Sequence, residues 1–301
     1  MNNNSYFNQA SLLLRLIPEI AKDKRFALHG GTAINMFVRN MPRLSVDIDL
    51  TYLPIENREQ TFETICAALL EICERLKSRF PELQIQHKVE IHKLIIANRD
   101  AIIKVEVSPI IRGSLGAVTE LQLCEKAQNS FDAFCAIQVV SIGQLYGGKI
   151  CAALDRQHPR DIFDIKYMLQ NEGFTSAIKE GFLFRLLSSE RSIQDVLFPK
   201  LQNQRQAFQN QFSGMSTESF TYEEYEQIRE NLIQRVHNSL TDADKTFLVG
   251  FKNASPDWSV YDFPIYPSIQ WKQHNLAKIK STNPLKHKEL TDSLRDKLDR
   301  I

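Results

Sequence analysis

A glycine pair that turns a strand into a helix, followed by two aspartates alternating on a second strand, constrains this chain more than any other feature. The stretch runs from His29 to Leu50: His-Gly-Gly-Thr-Ala-Ile-Asn-Met-Phe-Val-Arg-Asn-Met-Pro-Arg-Leu-Ser-Val-Asp-Ile-Asp-Leu. The apolar run Phe26-Ala-Leu before it reads as a buried strand, Gly30-Gly31-Thr32 as a sharp turn into a helix, and Ser45 to Thr51 as a second strand. Glycine lets the backbone close on a ligand, and the unpaired N–H groups of a first helical turn attract phosphate. Asp47 and Asp49, two apart on a strand, point to one face and can share a divalent cation.

The remaining sequence surrounds that stretch with an ordinary globular composition. At 301 residues, with 43% hydrophobic and 24% charged, the chain is long enough for two modest domains. Its net charge of +1 gives no global attraction to nucleic acid, so any such binding must come from a local patch. Cys66, Cys73, Cys124, Cys135 and Cys151 never form a Cys-x-x-Cys pair, which argues against a zinc site or a disulfide framework. The seven histidines form no His-x-x-His pattern either. The N-terminus, Met-Asn-Asn-Asn-Ser, lacks a basic region followed by an apolar signal core, and no apolar run approaches the ~20 residues that span a bilayer. A cytoplasmic protein with no membrane partner is the expectation.

Residues 9 to 22 have helical spacing, with Pro18 expected to bend or interrupt the helix. Asn57 can cap an amphipathic helix running to about Phe80, before Pro81. From Leu83 to Val107 the pattern alternates, predicting two or three antiparallel strands. The last of these sets Lys104 and Glu106 on one face, where Glu106 can join the two aspartates as a third acid. Strand-like runs near Leu121 to Cys124 and Phe134 to Val140 extend the sheet. Ser141 then caps a helix carrying Lys149, and a break at Gln157-His158-Pro159 precedes a helix with Arg160, Asp161 and Asp164. Beyond Gly173 the segments 175 to 187, 202 to 212, 222 to 240 and 241 to 251 read as helices, and 252 to 270 as an ordered, aromatic-rich surface loop. Trp271 to Lys288 holds five lysines and no acid, and a mixed-charge helix closes the chain. The expected domains are 1–172 and a helical 173–301.

Two carboxylates on one strand, a third on a neighbour and a glycine turn at a helix start suit metal-assisted phosphoryl transfer. Each part alone has a plain structural meaning, and their conjunction in this order favours the chemistry. Lys149 is either a solvated helix residue or a point charge for a triphosphate. Asp161 and Asp164, three apart on one helical face, offer one cap and one partner for Lys149 or an arginine. Arg43 and Ser45 either reach phosphate or hold the loop, and His29 reads as a strand histidine. The 271–288 stretch is either a solvated face or a track for an RNA backbone.

His29-Gly-Gly-Thr-Ala followed by Arg43-x-Ser45-x-Asp47-Ile-Asp49-Leu resembles the signature of the AbiEii group of nucleotidyltransferase-like abortive-infection toxins, which includes the mycobacterial MenT toxins. Lys104-Val-Glu106-Val resembles that family's third-acid strand. Gly148-Lys149 through Arg160-Asp161-Ile-Phe-Asp164-Ile resembles its Lys…Arg-Asp-x-x-Asp helix pair, and Trp271-Lys-Gln-His-Asn275-Leu resembles its Trp-Lys-x-x-Asn-Leu motif. Fourteen residues stand between Thr32 and Asp47, more than the commoner polymerase-beta-type spacing, which predicts a longer helix or a bulge at Asn40-Met41-Pro42.

The resemblance implies an α+β fold: a polymerase-beta-like nucleotidyltransferase core, a mixed sheet with flanking helices, followed by a mostly helical C-terminal domain. It implies a toxin of a bacterial toxin–antitoxin pair, an enzyme of the EC 2.7.7 type that moves a nucleotide from a nucleoside triphosphate to the 3′ end of tRNA and so blocks translation. By position, Asp47, Asp49 and Glu106 would bind Mg²⁺ or Mn²⁺. Gly30, Gly31, Thr32, Arg43, Ser45 and Lys149 would hold the nucleotide, and Asp161 would complete the catalytic set of Asp47, Asp49, Glu106 and Lys149. A cognate antitoxin is an implied partner. Transfer to a protein acceptor, or nucleotide binding without catalysis, are the competing expectations.

Overall fold

The computed structural model describes residues 3–301, so the sequence reading of the extreme N-terminus at Met1 and Asn2 lies outside the described residues. The elements run α1 (Asn3–Ile20), β1 (Phe26–His29), α2 (Gly30–Thr32) continuing as a π turn (Ala33–Val38), β2 (Asp47–Tyr52), α3 (Arg58–Arg79), β3 (Gln84–Lys88), β4 (Lys93–Ala97), β5 (Ile102–Ser108), β6 (Thr119–Gln122), α4 (Glu125–Phe131) and β7 (Ala136–Val139). Then follow α5 (Ile142–Asp155), α6 (Pro159–Asn171), α7 (Ser176–Ser188), α8 (Ile193–Leu197), α9 (Arg205–Ala207) with a second π turn (Phe208–Phe212), α10 (Tyr222–Ser239), α11 (Asp242–Lys252), α12 (Pro267–Thr282) and α13 (Pro284–Leu298).

Two units result: residues up to Leu145 with Gln206–Phe220, and Tyr146–Arg205 with Thr221–Ile301. The division falls inside α5 rather than at residue 172, and a segment from the helical half returns to the first unit.

The first unit is a seven-stranded sheet in the order β3-β4-β5-β2-β1-β7-β6. β2 pairs β5 in parallel and β1 in antiparallel, and β1 also pairs β7 in parallel, giving the mixed sheet that the resemblance implied. One sheet face is dry. Ile48, Leu50, Ile103, Val105 and Val107 are buried there, each alternating with a polar residue on the opposite side. Leu12, Leu13, Leu16, Ile17 and Ile20 of α1 are fully buried. Pro18 sits in the last turn of α1, where the helix ends two residues later at Ile20. Asn57 caps α3 by accepting the Gln60 N–H at 2.9 Å, as the sequence predicted.

The second unit is helical, packed around Phe163, Phe182, Phe184, Tyr225, Phe247, Phe251 and Phe263, all essentially inaccessible. The aromatic-rich stretch before α12 is ordered because it enters that core: Phe263 stacks on Tyr261 at 5.0 Å, and Tyr266 meets Phe184 at 4.6 Å. α12 starts at Pro267, earlier than the sequence suggested, because proline at the first helical position loses no hydrogen bond. Among the described residues no helix is long and apolar enough to cross a membrane.

Candidate active site

The sheet register builds a row of charged side chains. Asp49 of β2 stands opposite Glu106 of β5 on one side and His29 of β1 on the other, and Glu106 stands opposite Lys93 of β4. Asp47 is two residues before Asp49, so the three acids share the polar face of the sheet while the intervening apolar residues fill the core. Thr51, on the same face, lies 3.1 Å from the His29 Nδ1, so His29 has a strand-to-strand partner. Glu106 is drawn toward Lys93, with Nζ and Oε1 2.6 Å apart. Among the described residues no three acid, histidine or cysteine side chains stand together as a ready cation site.

The donor chemistry nonetheless suits Mg²⁺. That ion is usually held by one or two carboxylates together with substrate phosphates and waters, not by a complete protein cage. Asp47 and Asp49 supply such a pair of hard oxygen donors.

The glycine turn is pressed against these acids. Gly30 has a φ of +76°, and a Cβ on it would lie 2.6 Å from Asp49 Oδ2. A Cβ on Gly31 would lie 2.8 Å from Arg43 Nη2 and 3.1 Å from Ser45 Oγ. The backbone thus reaches the Asp49 carboxylate, the Arg43 guanidinium and the Ser45 hydroxyl only because both positions lack a side chain. Gly30→Ala is expected to cost about 1–2 kcal/mol from the left-handed backbone alone. Thermal melting would register this as a drop of roughly 2–4 °C per kcal/mol.

Thr32 is buried and donates to the Asp47 carbonyl at 2.5 Å, with its hydroxyl also 2.9 Å from that of Ser45. It ties the first turn of the helix to the start of β2. The fourteen residues between Thr32 and Asp47 hold two irregularities. The helix widens into a π turn, with the Arg39 N–H donating to the Ile34 carbonyl, and Met41 bulges into the left-handed region at φ 51°.

Arg43 is held by a segment that sequence reasoning did not connect to it. The Leu44 N–H donates to the Met215 carbonyl at 2.7 Å, Arg43 and Ser216 form a β-bridge, and the Ser216 hydroxyl donates to the Pro42 carbonyl at 2.9 Å. Lys126 donates to the Met41 carbonyl from the other side at 3.1 Å. A cavity of about 540 Å³ lies among Phe7, Met41, Leu44, Lys126 and Met215. The strap is fastened by Phe208, Phe212 and Phe220, whose rings are 5.3–5.6 Å apart. Those clustered phenylalanines were the available signal for it. Ser216→Pro removes the hydroxyl that donates to the Pro42 carbonyl and restricts the backbone at the bridge, and is expected to loosen Arg43. The check is faster proteolytic cleavage within 39–46, where the wild-type chain resists.

The second unit holds its own charged cluster. Lys149 Nζ lies 2.9 Å from Asp161 Oδ1 and 3.0 Å from Asp164 Oδ2, and all three side chains are buried. Asp161 also accepts from Arg156, at 2.6 Å to Oδ2 and 3.0 Å to Oδ1. Burial alone pushes the Asp161 carboxyl up, but the Lys149 ammonium and the Arg156 guanidinium outweigh it and hold the group well below the usual carboxylate range. Neither aspartate caps α6. His158 does so, its Nδ1 accepting the Arg160 N–H at 3.2 Å. Arg156 was missed in the sequence because it stands at the end of α5, outside the spacing that joins Lys149 to Asp161.

With the geometry in place, comparison with known proteins is informative. Residues 11–275 match the family model described as nucleotidyl transferase AbiEii toxin, type IV TA system. No curated protein matches the sequence. Among solved structures the fold is similar to MenT4, the nucleotidyltransferase toxin Rv2826c from Mycobacterium tuberculosis H37Rv. The TM-score is 0.64 at 13% identity, covering 92% of this chain and 95% of that one.

Proposed function

The chain belongs to the AbiEii nucleotidyltransferase toxin family of type IV toxin–antitoxin systems, and on that footing we propose that it transfers a nucleoside monophosphate from a nucleoside triphosphate to the 3′ end of a tRNA. The observation that carries this reading is the Gly30-Gly31 turn lying directly against the Asp49 carboxylate, on the sheet face shared by Asp47 and Glu106. Phosphate grip and metal donors then occupy one place.

In this reading the N–H groups of Gly31 and Thr32 bind phosphate oxygens, since a first helical turn leaves its donors without intrahelical partners. Arg43 and Ser45, packed on Gly31, add a guanidinium and a hydroxyl to the same grip. Thr32 acts by holding Asp47 in place through its backbone. Asp47 and Asp49, with Glu106 once it leaves Lys93, would hold Mg²⁺, which offsets phosphate charge and favours ionisation of the attacking hydroxyl. The RNA 3′ oxygen bonds to the α-phosphorus, pyrophosphate leaves with the electron pair of the broken bond, and the hydroxyl proton passes to a sheet-face carboxylate. Lys149, which contacts both Asp161 and Asp164, is committed to that buried cluster of the second unit. A tRNA blocked at its acceptor end cannot be aminoacylated, so translation in the cytoplasm would stop until a cognate antitoxin acts.

The test is incubation of the purified chain with Mg²⁺, each α-labelled nucleoside triphosphate and total tRNA. Label in tRNA that ribonuclease releases is the expected result. Label that resists ribonuclease would mean a protein acceptor, and nucleotide binding without any label would mean a non-catalytic module.

A further inference from the structure

Residues 263–288 contain no acid, although the chain as a whole is nearly neutral. Within that run, in the second unit, α12 carries Trp271 at its surface. The indole is 57% exposed, unusual for the largest apolar side chain, and its ring is stacked on His274 with centroids 5.8 Å apart and planes 18° from parallel. Positions 271, 274 and 278 follow helical spacing, so Lys278 continues the same stripe. Lys286 and Lys288, at the start of α13, are also exposed.

Lys272 belongs to the interior instead. Its ammonium donates to the carbonyls of Leu186, Ser189 and Arg191 at 3.0, 2.7 and 2.9 Å, in the last turn of α7 and just past its end. Three bonds from one residue fix the rotation of α12 about its axis. The neighbouring Trp271 is thereby held outward.

We propose that the Trp271–His274 pair and Lys278 form a stacking platform for unpaired nucleotides of an RNA substrate. An acidic protein would be served by the lysines alone, whereas a flat ring already stacked on one side and open to solvent on the other suits a nucleobase, every one of which has a π-face. Lysines without interspersed acids track the phosphates on either side. The inference rests on the RNA-acceptor reading above and names a surface for it.

The test is binding of a fluorescently labelled single-stranded RNA 12-mer to the full chain, with Trp271→Ala, Trp271→Phe and Lys278→Glu variants and a duplex RNA of the same length. Trp271→Ala is expected to weaken single-strand binding roughly 5- to 100-fold, and Trp271→Phe to retain most of it. Lys278→Glu should lower the slope of log K against log salt by about 0.7 or more. Equal binding by wild type and Trp271→Ala, or duplex bound as tightly as single strand, would overturn the proposal. If tRNA is labelled in the transfer assay while the 12-mer ignores Trp271, the platform fails and the enzymatic reading stands. If the 12-mer depends on Trp271 while no RNA is labelled, the platform stands and the enzymatic reading fails.

Discussion

Asp49→Asn is expected to lower nucleotide transfer by roughly a thousandfold, about 4 kcal/mol of barrier, with little change in stability. Asparagine keeps the shape that meets Gly30, so the turn stays in place. What is lost is a negative charge and a hard oxygen donor at the centre of the row from Lys93 to His29. Asp49 is partly buried, and a substitution that preserves its shape is expected to alter folding by about 1 kcal/mol or less, far below the effect on the barrier. Rate and stability should therefore separate. The check is initial rate of tRNA labelling across a Mg²⁺ titration, beside a thermal melt. Transfer that persists within tenfold of wild type would remove Asp49 from the metal site. Glu106→Gln should have a smaller effect, because Glu106 already shares its charge with Lys93 at 2.6 Å.

How far the sequence discloses this site depends on the reach of the interaction concerned. The strand alternation around Asp47, Asp49 and Glu106 is local, and it placed all three acids on one face before any pairing was known. The structure adds that Asp49 and Glu106 are direct neighbours across β2 and β5. The extra residues before Asp47 pointed to a longer helix or a bulge; the structure has a π turn there and a left-handed Met41 in the loop. Spacing on two successive helices suggested that Lys149, Arg160 and Asp161 converge and that one of Asp161 and Asp164 meets Lys149 or an arginine; the structure brings both aspartates to Lys149. The short helices α4 and α8 were missed because seven and five residues carry too little periodicity. The strap at 206–220 was missed for a different reason. Its bonds to residues 42–44 join positions about 170 apart, and nothing in the local pattern around Met215 and Ser216 encodes which loop they will meet. The unit boundary within α5 was hidden likewise, since a continuous helix gives no change in period where one core stops and another begins.

Lys149→Met should be the most destabilising of these substitutions, by about 3–5 kcal/mol, because it leaves Asp161 and Asp164 buried without the ammonium that each contacts. For a domain of this size the melting temperature would fall by roughly 10 °C. The pH dependence distinguishes this mechanism from a mere packing loss. In the native protein the Asp161 carboxyl lies well below its unfolded value of about 3.9, so the unfolded chain takes up that proton first. Its stabilising contribution is therefore complete above that value and is lost as pH falls through the carboxylate range. Between pH 7 and 5 the wild-type contribution from this group is flat. In Lys149→Met the Arg156 guanidinium remains on Asp161, so the loss of stability as pH falls through the carboxylate range should be smaller than in wild type, one of the two cations that hold this carboxyl down having been removed. Adding Asp164→Leu removes one stranded charge and should recover part of the loss, since replacing a buried ion pair by apolar groups is often neutral. A Lys149→Met variant that melts like wild type, or whose acid loss is as large as that of wild type, would show that the ammonium does not stabilise the buried aspartates.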